Sequence, residues 1–242
     1  MESLVQWFDR EFFGAGRGGN TGPVVAVVIG SGGKTSLIWH LARYFALKPR
    51  SVLVTTTTKM FPPAETESLP GIITAGRLNQ RTGKLEALPL EELAERIAAY
   101  DLVLIEGDGS RGLPLKGWAE YEPVVPPFAT VTIGVLPLWP LGKPVSAELI
   151  HRLTLFCDLT GADAGNALKI EHLAKVIAGG SRGKSLFTAA AGRKILFFNQ
   201  IEDEASISLA AELAALLPED FRLHLHGIIA GSVKQDRLVL QA

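Results

Sequence analysis

The sequence predicts an α/β protein built on a mainly parallel sheet flanked by helices. Continuous runs of β-branched and other apolar residues recur at 24–29, 102–105, 129–136 and 195–198, the pattern of strands buried on both faces. Helical patterns alternate with these runs, which implies right-handed crossovers between parallel strands. Glycines, hydroxyls and acids gather just after several of the strands, at the edge where open α/β sheets hold their ligands.

Taken in order, residues 2–13 place Leu4, Val5, Phe8, Phe12 and Phe13 at helical spacing and read as an amphipathic helix. Residues 14–22 are a glycine-rich break. Strand 24–29 runs into Gly30-Ser31-Gly32-Gly33-Lys34-Thr35, and 35–47 reads as a helix. Residues 51–54 form a short strand ending in Thr55-Thr56-Thr57-Thr58-Lys59. Pro62, Pro63, Pro70, Gly71, Gly76 and Gly83 mark 61–88 as loops, with a hairpin turning at Gly83. A helix over 90–99 precedes strand 102–105, and 114–127 is irregular and proline-rich. After strand 129–136 come helices near 147–157 and 170–178. Strand 195–198 closes on Asn199; then follow helix 207–217, strand 223–230 and a terminal strand over 237–240. No repeat or clean boundary divides the chain, so one domain over 1–242 is expected, with 143–190 as a candidate helical elaboration.

Composition narrows the function classes. A chain of 242 residues can form its own core without a disulfide or metal staple. Its 24 basic and 25 acidic side chains leave no basic excess, which argues against a nucleic-acid partner. Cys157 stands alone and reads as a buried small side chain in an apolar helical stretch, so a disulfide framework and a CxxC zinc site are both excluded. The N-terminus lacks a signal-type apolar segment and the longest apolar stretches are strand-sized, so a cytoplasmic chain with no membrane partner is expected. The five histidines show no metal-ligand spacing, and His224 and His226 alternate along strand 223–230.

The glycine loop carries the main functional signal. Gly30, Ser31, Gly32, Gly33, Lys34, Thr35 and Ser36 lie between a buried strand and a helix, where backbone N–H groups can converge on a phosphate. The Lys34 ammonium suits β/γ oxygens, and the Thr35 hydroxyl suits Mg²⁺. The longer phosphate-loop pattern needs glycine at position 28, where this chain has Val28; the shorter G-x-x-G-K-[ST] form fits and resembles the ATP-binding loop of the Mur ligases. The competing reading is a plain turn with an exposed lysine. With the loop included, the expected fold is three-layered, Rossmann-like and of the P-loop NTPase kind.

Glu106 and Asp108 follow strand 102–105 two residues apart and are candidates for holding Mg²⁺ and orienting a nucleophile, with Lys34 as the third catalytic candidate. Gly107 and Gly109 would let the backbone approach a ligand; the alternative is that the acids cap a turn. Lys59, Arg111, Lys116 and Glu122 are substrate-binding candidates on neighbouring loops, though threonines 55–58 suit backbone bonding and the charges suit an ordinary surface. Asn199 sits where GTPases carry a guanine-reading motif, but Gln200 replaces its lysine, leaving a base contact without guanine selectivity. The expected ligand is therefore ATP or GTP with Mg²⁺.

Together the glycine loop, Thr55–Met60, Glu106-Gly107-Asp108-Gly109-Ser110-Arg111 with Leu115-Lys116, and Glu122-Pro123-Val124-Val125-Pro126 resemble the YqeC-type selenium-dependent hydroxylase accessory proteins, also called selenium cofactor biosynthesis proteins. The resemblance spans roughly 24–200. It implies a nucleotide-dependent role in maturing a selenium-containing molybdenum hydroxylase, with that enzyme or its cofactor as partner. Three activities fit: NTP hydrolysis or phosphate transfer, nucleotide-gated cofactor delivery with little turnover, and Mur-like ligation or small-molecule phosphorylation.

Overall fold

The structure is a computed structural model that describes residues 2–14, 22–62, 70–180 and 184–241. Most of the glycine-rich break at 14–22, and Pro63, lie outside the described residues.

In chain order the elements are α1 (Leu4–Phe13), β1 (Val24–Gly30), α2 (Lys34–Ala46), β2 (Val52–Thr56), β3 (Lys59–Met60), β4 (Ile72–Thr74), β5 (Arg77–Asn79), β6 (Lys84–Glu86), α3 (Leu90–Ile97) and β7 (Leu102–Glu106). There follow β8 (Leu115–Lys116), β9 (Val131–Pro137), β10 (Ile150–His151), α4 (Leu153–Thr160), α5 (Ile170–Ala178), β11 (Arg193–Asn199), α6 (Glu204–Leu216), α7 (Glu219–Leu223), β12 (Gly227–Ser232) and β13 (Arg237–Gln241).

The apolar runs do what their composition dictates. Every residue of β1, β2, β7 and β9 is buried. Side chains alternate across β1, so Val24, Ala26 and Val28 enter one core while Val25, Val27 and Ile29 enter the other. The first core is closed by α1 and α2 through Phe8, Phe12, Leu37 and Phe45. The second is closed by α3, α5 and α6 through Leu93, Leu173 and Leu213. Helices thus cover both faces of an eight-stranded sheet of order β13-β12-β11-β9-β1-β7-β2-β4. Its pairings are parallel except β12 with β13.

Strand order sets the site. β1 lies between β7 and β9, and the chain leaving β1 passes through α2 to β2, one strand beyond β7. Later it returns to β9 on the other side of β1. The loops beyond β1 and its neighbours diverge there, and this divergence opens a crevice at the strands' carboxyl ends.

Several boundaries differ from the sequence expectation. The 223–230 strand starts only at Gly227, because Pro218, Glu219 and Asp220 open the short helix α7 that runs to Leu223. His224 is the cap of α7 and bonds Asp220 O, so it does not alternate with His226 on a strand. The helix expected near 147–157 begins at Leu153, since Ile150–His151 pairs with Leu115–Lys116 first. The hairpin turning at Gly83 is present as β5 and β6, and β4 adds an unforeseen edge strand to the main sheet. Cys157 is only half-buried. No helix among the described residues is long and apolar enough to cross a membrane.

Candidate functional site

β1 ends at Gly30 and α2 starts at Lys34, so Ser31, Gly32 and Gly33 must reverse the chain within three residues. Gly33 has φ +125°, and a Cβ there would sit 2.2 Å from Asn199 Nδ2. No side chain caps the start of α2.

Protein groups hold the loop from several directions. Gly30 N donates to both carboxylate oxygens of Asp108, at 3.0 and 3.1 Å. Ser31 N donates to Val135 O at 3.0 Å, and Ser31 Oγ to Pro114 O at 2.7 Å. Asn199 Nδ2 donates to Gly32 O at 2.9 Å, while Asn199 Oδ1 accepts from Val233 N at 3.1 Å. The next five amides differ: those of Gly32, Gly33, Lys34, Thr35 and Ser36 have no acceptor among the described residues. They are the orphan donors of a helix N-terminus, where the helix dipole favours an anion.

Lys34 is nearly buried, its Nζ 2.7 Å from Gly30 O and 3.4 Å from Asp108 Oδ1. Thr35 Oγ1 donates to Glu106 Oε2 at 2.7 Å. Glu106 is 6% exposed. Burial pushes its carboxyl above the ordinary range, against the opposing pull of Lys34 and the Thr35 hydroxyl. A hydroxyl and a carboxylate side by side are hard oxygen donors of the kind Mg²⁺ takes with phosphates and water. Among the described residues no group of three or more His, Cys, Asp or Glu side chains could hold a metal by itself.

Two cavities meet at the start of α2 and share Gly33, Thr35, Ser36, Trp139 and Gln200. One, of about 690 Å³, extends past Lys34, Glu106, Lys59, Lys84 and Arg111. The other, of about 830 Å³, extends past Trp39, His40, Asn199 and Lys234.

The expected site residues therefore divide. Gly32, Gly33, Lys34, Thr35, Ser36, Glu106, Lys59 and Arg111 line the first cavity. Gly30 and Ser31 are buried at the base of the loop. Asp108 lies behind the loop, fully buried, and also accepts from Lys116 Nζ at 3.1 Å and Trp118 Nε1 at 2.9 Å. Lys116 and Glu122 are not at the cleft: Lys116 is buried between Asp108 and Glu122, whose Oε2 is 2.7 Å away, and Arg152 closes the chain on Glu122. Burial would raise the Glu122 carboxyl, but its bonds to Arg152 and Lys116 outweigh that and hold it low. Asn199 spends its amide on the loop and on Val233, which places it as a strut.

Gly107 does not face a ligand either; a Cβ there would press on Val27 and Ile29 at 2.7 and 2.8 Å. The threonine hydroxyls bond backbone carbonyls: Thr55 to Ala75, Thr56 to Glu106 and Thr57 to Val124, at 2.8, 2.9 and 2.7 Å. Lys59 pairs with Glu86 at 2.8 Å on the rim. Sequence reasoning missed Trp118, Lys84 and Arg152. Trp118 follows the singled-out Lys116 by two residues, a spacing that in extended chain returns to the same side.

A family model described as YqeC protein matches residues 25–154. A protein of Escherichia coli (strain K12) described as uncharacterized protein YqeC is 34% identical over 175 residues, covering 64% of this chain and 68% of that protein. No solved structure matches.

Proposed function

The chain belongs to the YqeC family, and on that premise we propose that it is a Mg²⁺-dependent nucleoside triphosphate-binding enzyme acting in the maturation of a selenium-containing molybdenum hydroxylase. The observation that carries the nucleotide part is the row of five amides, Gly32 to Ser36, left without a protein acceptor at the mouth of two cavities. The P-loop reading explains why these donors are unspent while Gly30 N and Ser31 N are bonded. The hydroxylase part is taken from the family resemblance alone.

In this reading the amides of Gly32–Ser36 receive β/γ-phosphate oxygens, and Lys34 turns from Gly30 O to the same group. Thr35 Oγ1 and Glu106 would hold Mg²⁺, which when bound neutralises phosphate charge. Asp108 fixes the loop and holds Lys34 close. Catalysis of this kind is positioning and electrostatics, so hydrolysis or phosphate transfer needs no further covalent chemistry from the chain. ATP and GTP both fit, because Asn199 is engaged with the loop and no other base-reading group stands out.

A second reading is supported by the buried chain Lys34–Asp108–Lys116–Glu122–Arg152. It links the loop to the 115–152 segment, as a nucleotide-gated carrier with little turnover requires.

Calorimetric titration with ATP and GTP, with and without Mg²⁺, tests the shared premise. Lys34→Ala is expected to weaken triphosphate binding by about 1.5–3 kcal/mol, the range for a hydrogen bond to a charged group. Equal affinity for the two proteins removes the loop from the function. Phosphate release by the chain alone separates the enzyme from the carrier.

A further inference from the structure

The two cavities at the α2 start differ in chemistry. The 830 Å³ cavity carries the Trp39 and Trp139 rings, flat apolar surface of the kind that suits a nucleoside. The wall of the 690 Å³ cavity is cationic: Lys34, Lys59, Lys84 and Arg111 face a single acid, Glu106. Two of those cations are balanced locally. Lys34 pairs with Asp108 at 3.4 Å and Lys59 with Glu86 at 2.8 Å. Lys84 and Arg111 form no ion pair among the described residues; the Lys84 ammonium rests 4.4 Å from the centre of the Phe61 ring. Phe61 is itself 59% exposed on that wall. Two cations without an ion pair among the described residues, Lys84 acting on Glu106 only through its field, line this wall with an apolar ring and form a receptor for a second anion.

We infer that the Lys84–Arg111 side of the cleft binds the second substrate, a small molecule carrying several phosphate or carboxylate charges, alongside the nucleotide. This rests on the nucleotide reading of the glycine loop for its second-substrate role, though binding of the anion itself does not. The nucleoside occupies the opposite cavity, and the triphosphate spans the wall that both share. Lys84 and Arg111 select the charge of the partner molecule, and Phe61 covers its carbon skeleton. Neither side chain bonds the loop, so removing both leaves its anchors in place, and Lys84 reaches the metal side only through its field at Glu106.

The probe is 3-phosphoglycerate, which carries one phosphate and one carboxylate. It is titrated calorimetrically into wild type holding a non-hydrolysable ATP analogue with Mg²⁺, and into the Lys84→Ala/Arg111→Ala double variant in the same state. The expected result is binding to wild type, an affinity for the probe at least about tenfold weaker in the double variant, and a loss of analogue affinity well below tenfold. The inference is overturned if wild type does not bind the probe, if both proteins bind it equally, or if the probe displaces the analogue. Should the analogue itself fail to bind, the nucleotide reading falls separately. The free proteins then decide the anion site: probe binding retained by Lys34→Ala and lost in the double variant supports it, and any other pattern overturns it.

Discussion

Replacing Asp108 by Asn changes one atom and should be among the most damaging substitutions in the chain. The carboxylate is fully buried and serves four donors. Gly30 N lies 3.0 and 3.1 Å from its two oxygens, and Lys34 Nζ lies 3.4 Å from Oδ1. Lys116 Nζ and Trp118 Nε1 lie 3.1 and 2.9 Å from Oδ2. An amide has one oxygen. If it takes the Oδ1 place, its NH₂ group meets the Trp118 N–H and the Lys116 ammonium. If it takes the Oδ2 place, the NH₂ group meets Gly30 N–H and Lys34. Either orientation sets an NH₂ group against a buried ammonium in place of a carboxylate oxygen. Breaking a buried ion pair from one side costs about 3–5 kcal/mol, a large share of the roughly 5–15 kcal/mol that hold a domain folded. For a chain of this length the expected fall in Tm is about 6–20 °C. Urea unfolding of wild type and D108N, followed by tryptophan fluorescence and by circular dichroism, measures it. A difference under about 0.5 kcal/mol, the size of an ordinary surface substitution, would refute the claim that this carboxylate anchors the loop.

Three further outcomes follow from the same geometry. Thr35→Ala removes the hydroxyl that meets Glu106 and should lower triphosphate affinity by about 1–2 kcal/mol in the presence of Mg²⁺ only; calorimetry with and without the metal reads the difference. Gly33→Ala places a Cβ 2.2 Å from Asn199 Nδ2 at φ +125°, so it should cost roughly 1–3 kcal/mol of stability and displace the free amides; nucleotide titration and thermal unfolding both report it. Glu122 has a folded pKa below its unfolded value of 4.5, so its stabilising contribution is present above that pH and is lost as pH falls through the folded value. Glu122→Gln should therefore lower stability at neutral pH by about 1.5–3 kcal/mol and flatten the decline of stability below about pH 4.5; urea midpoints across pH 3–7 provide the test.

What could be read from the sequence was local. The run 24–29 needs no knowledge of its neighbours to be called a doubly buried strand, because six consecutive apolar residues leave no polar face. The glycine loop was visible for the same reason: strand, turn residues and helix are contiguous. The partners of the polar side chains were not visible. Gly30 N meets Asp108 across 78 positions, and Arg152 meets Glu122 across 30. Two acids spaced to share a strand face looked equivalent, yet Glu106 ends β7 within the cleft while Asp108, past the strand's end, turns under the loop. Lys84 escaped notice because only the docking of the β5–β6 hairpin brings it to the cleft. The 223–230 assignment failed at a helix start written in Pro218-Glu219-Asp220, a signal that the apolar and histidine residues beyond it masked.

The pattern of spent and unspent donors decides what the loop can do. Asp108, Val135, Pro114 and Asn199 engage its first residues and its outer carbonyl from the turn after β7, β9, the 109–114 loop and β11. These anchors fix the direction of the amides that follow, so an arriving anion need not order them. A loop held this way binds without a reorganisation cost, which is how fixed donors gain strength over mobile water. The anchors also explain why two of the acids and lysines near the site are buried rather than exposed. Lys116 and Glu122 lie outside both cavities; Lys116, itself bonded to Glu122, orients Asp108, and through it holds Gly30 in place. A substitution at Lys116 should thus act on nucleotide affinity only by way of loop geometry, whereas one at Thr35 acts directly. That distinction separates residues that hold the loop from residues that use it.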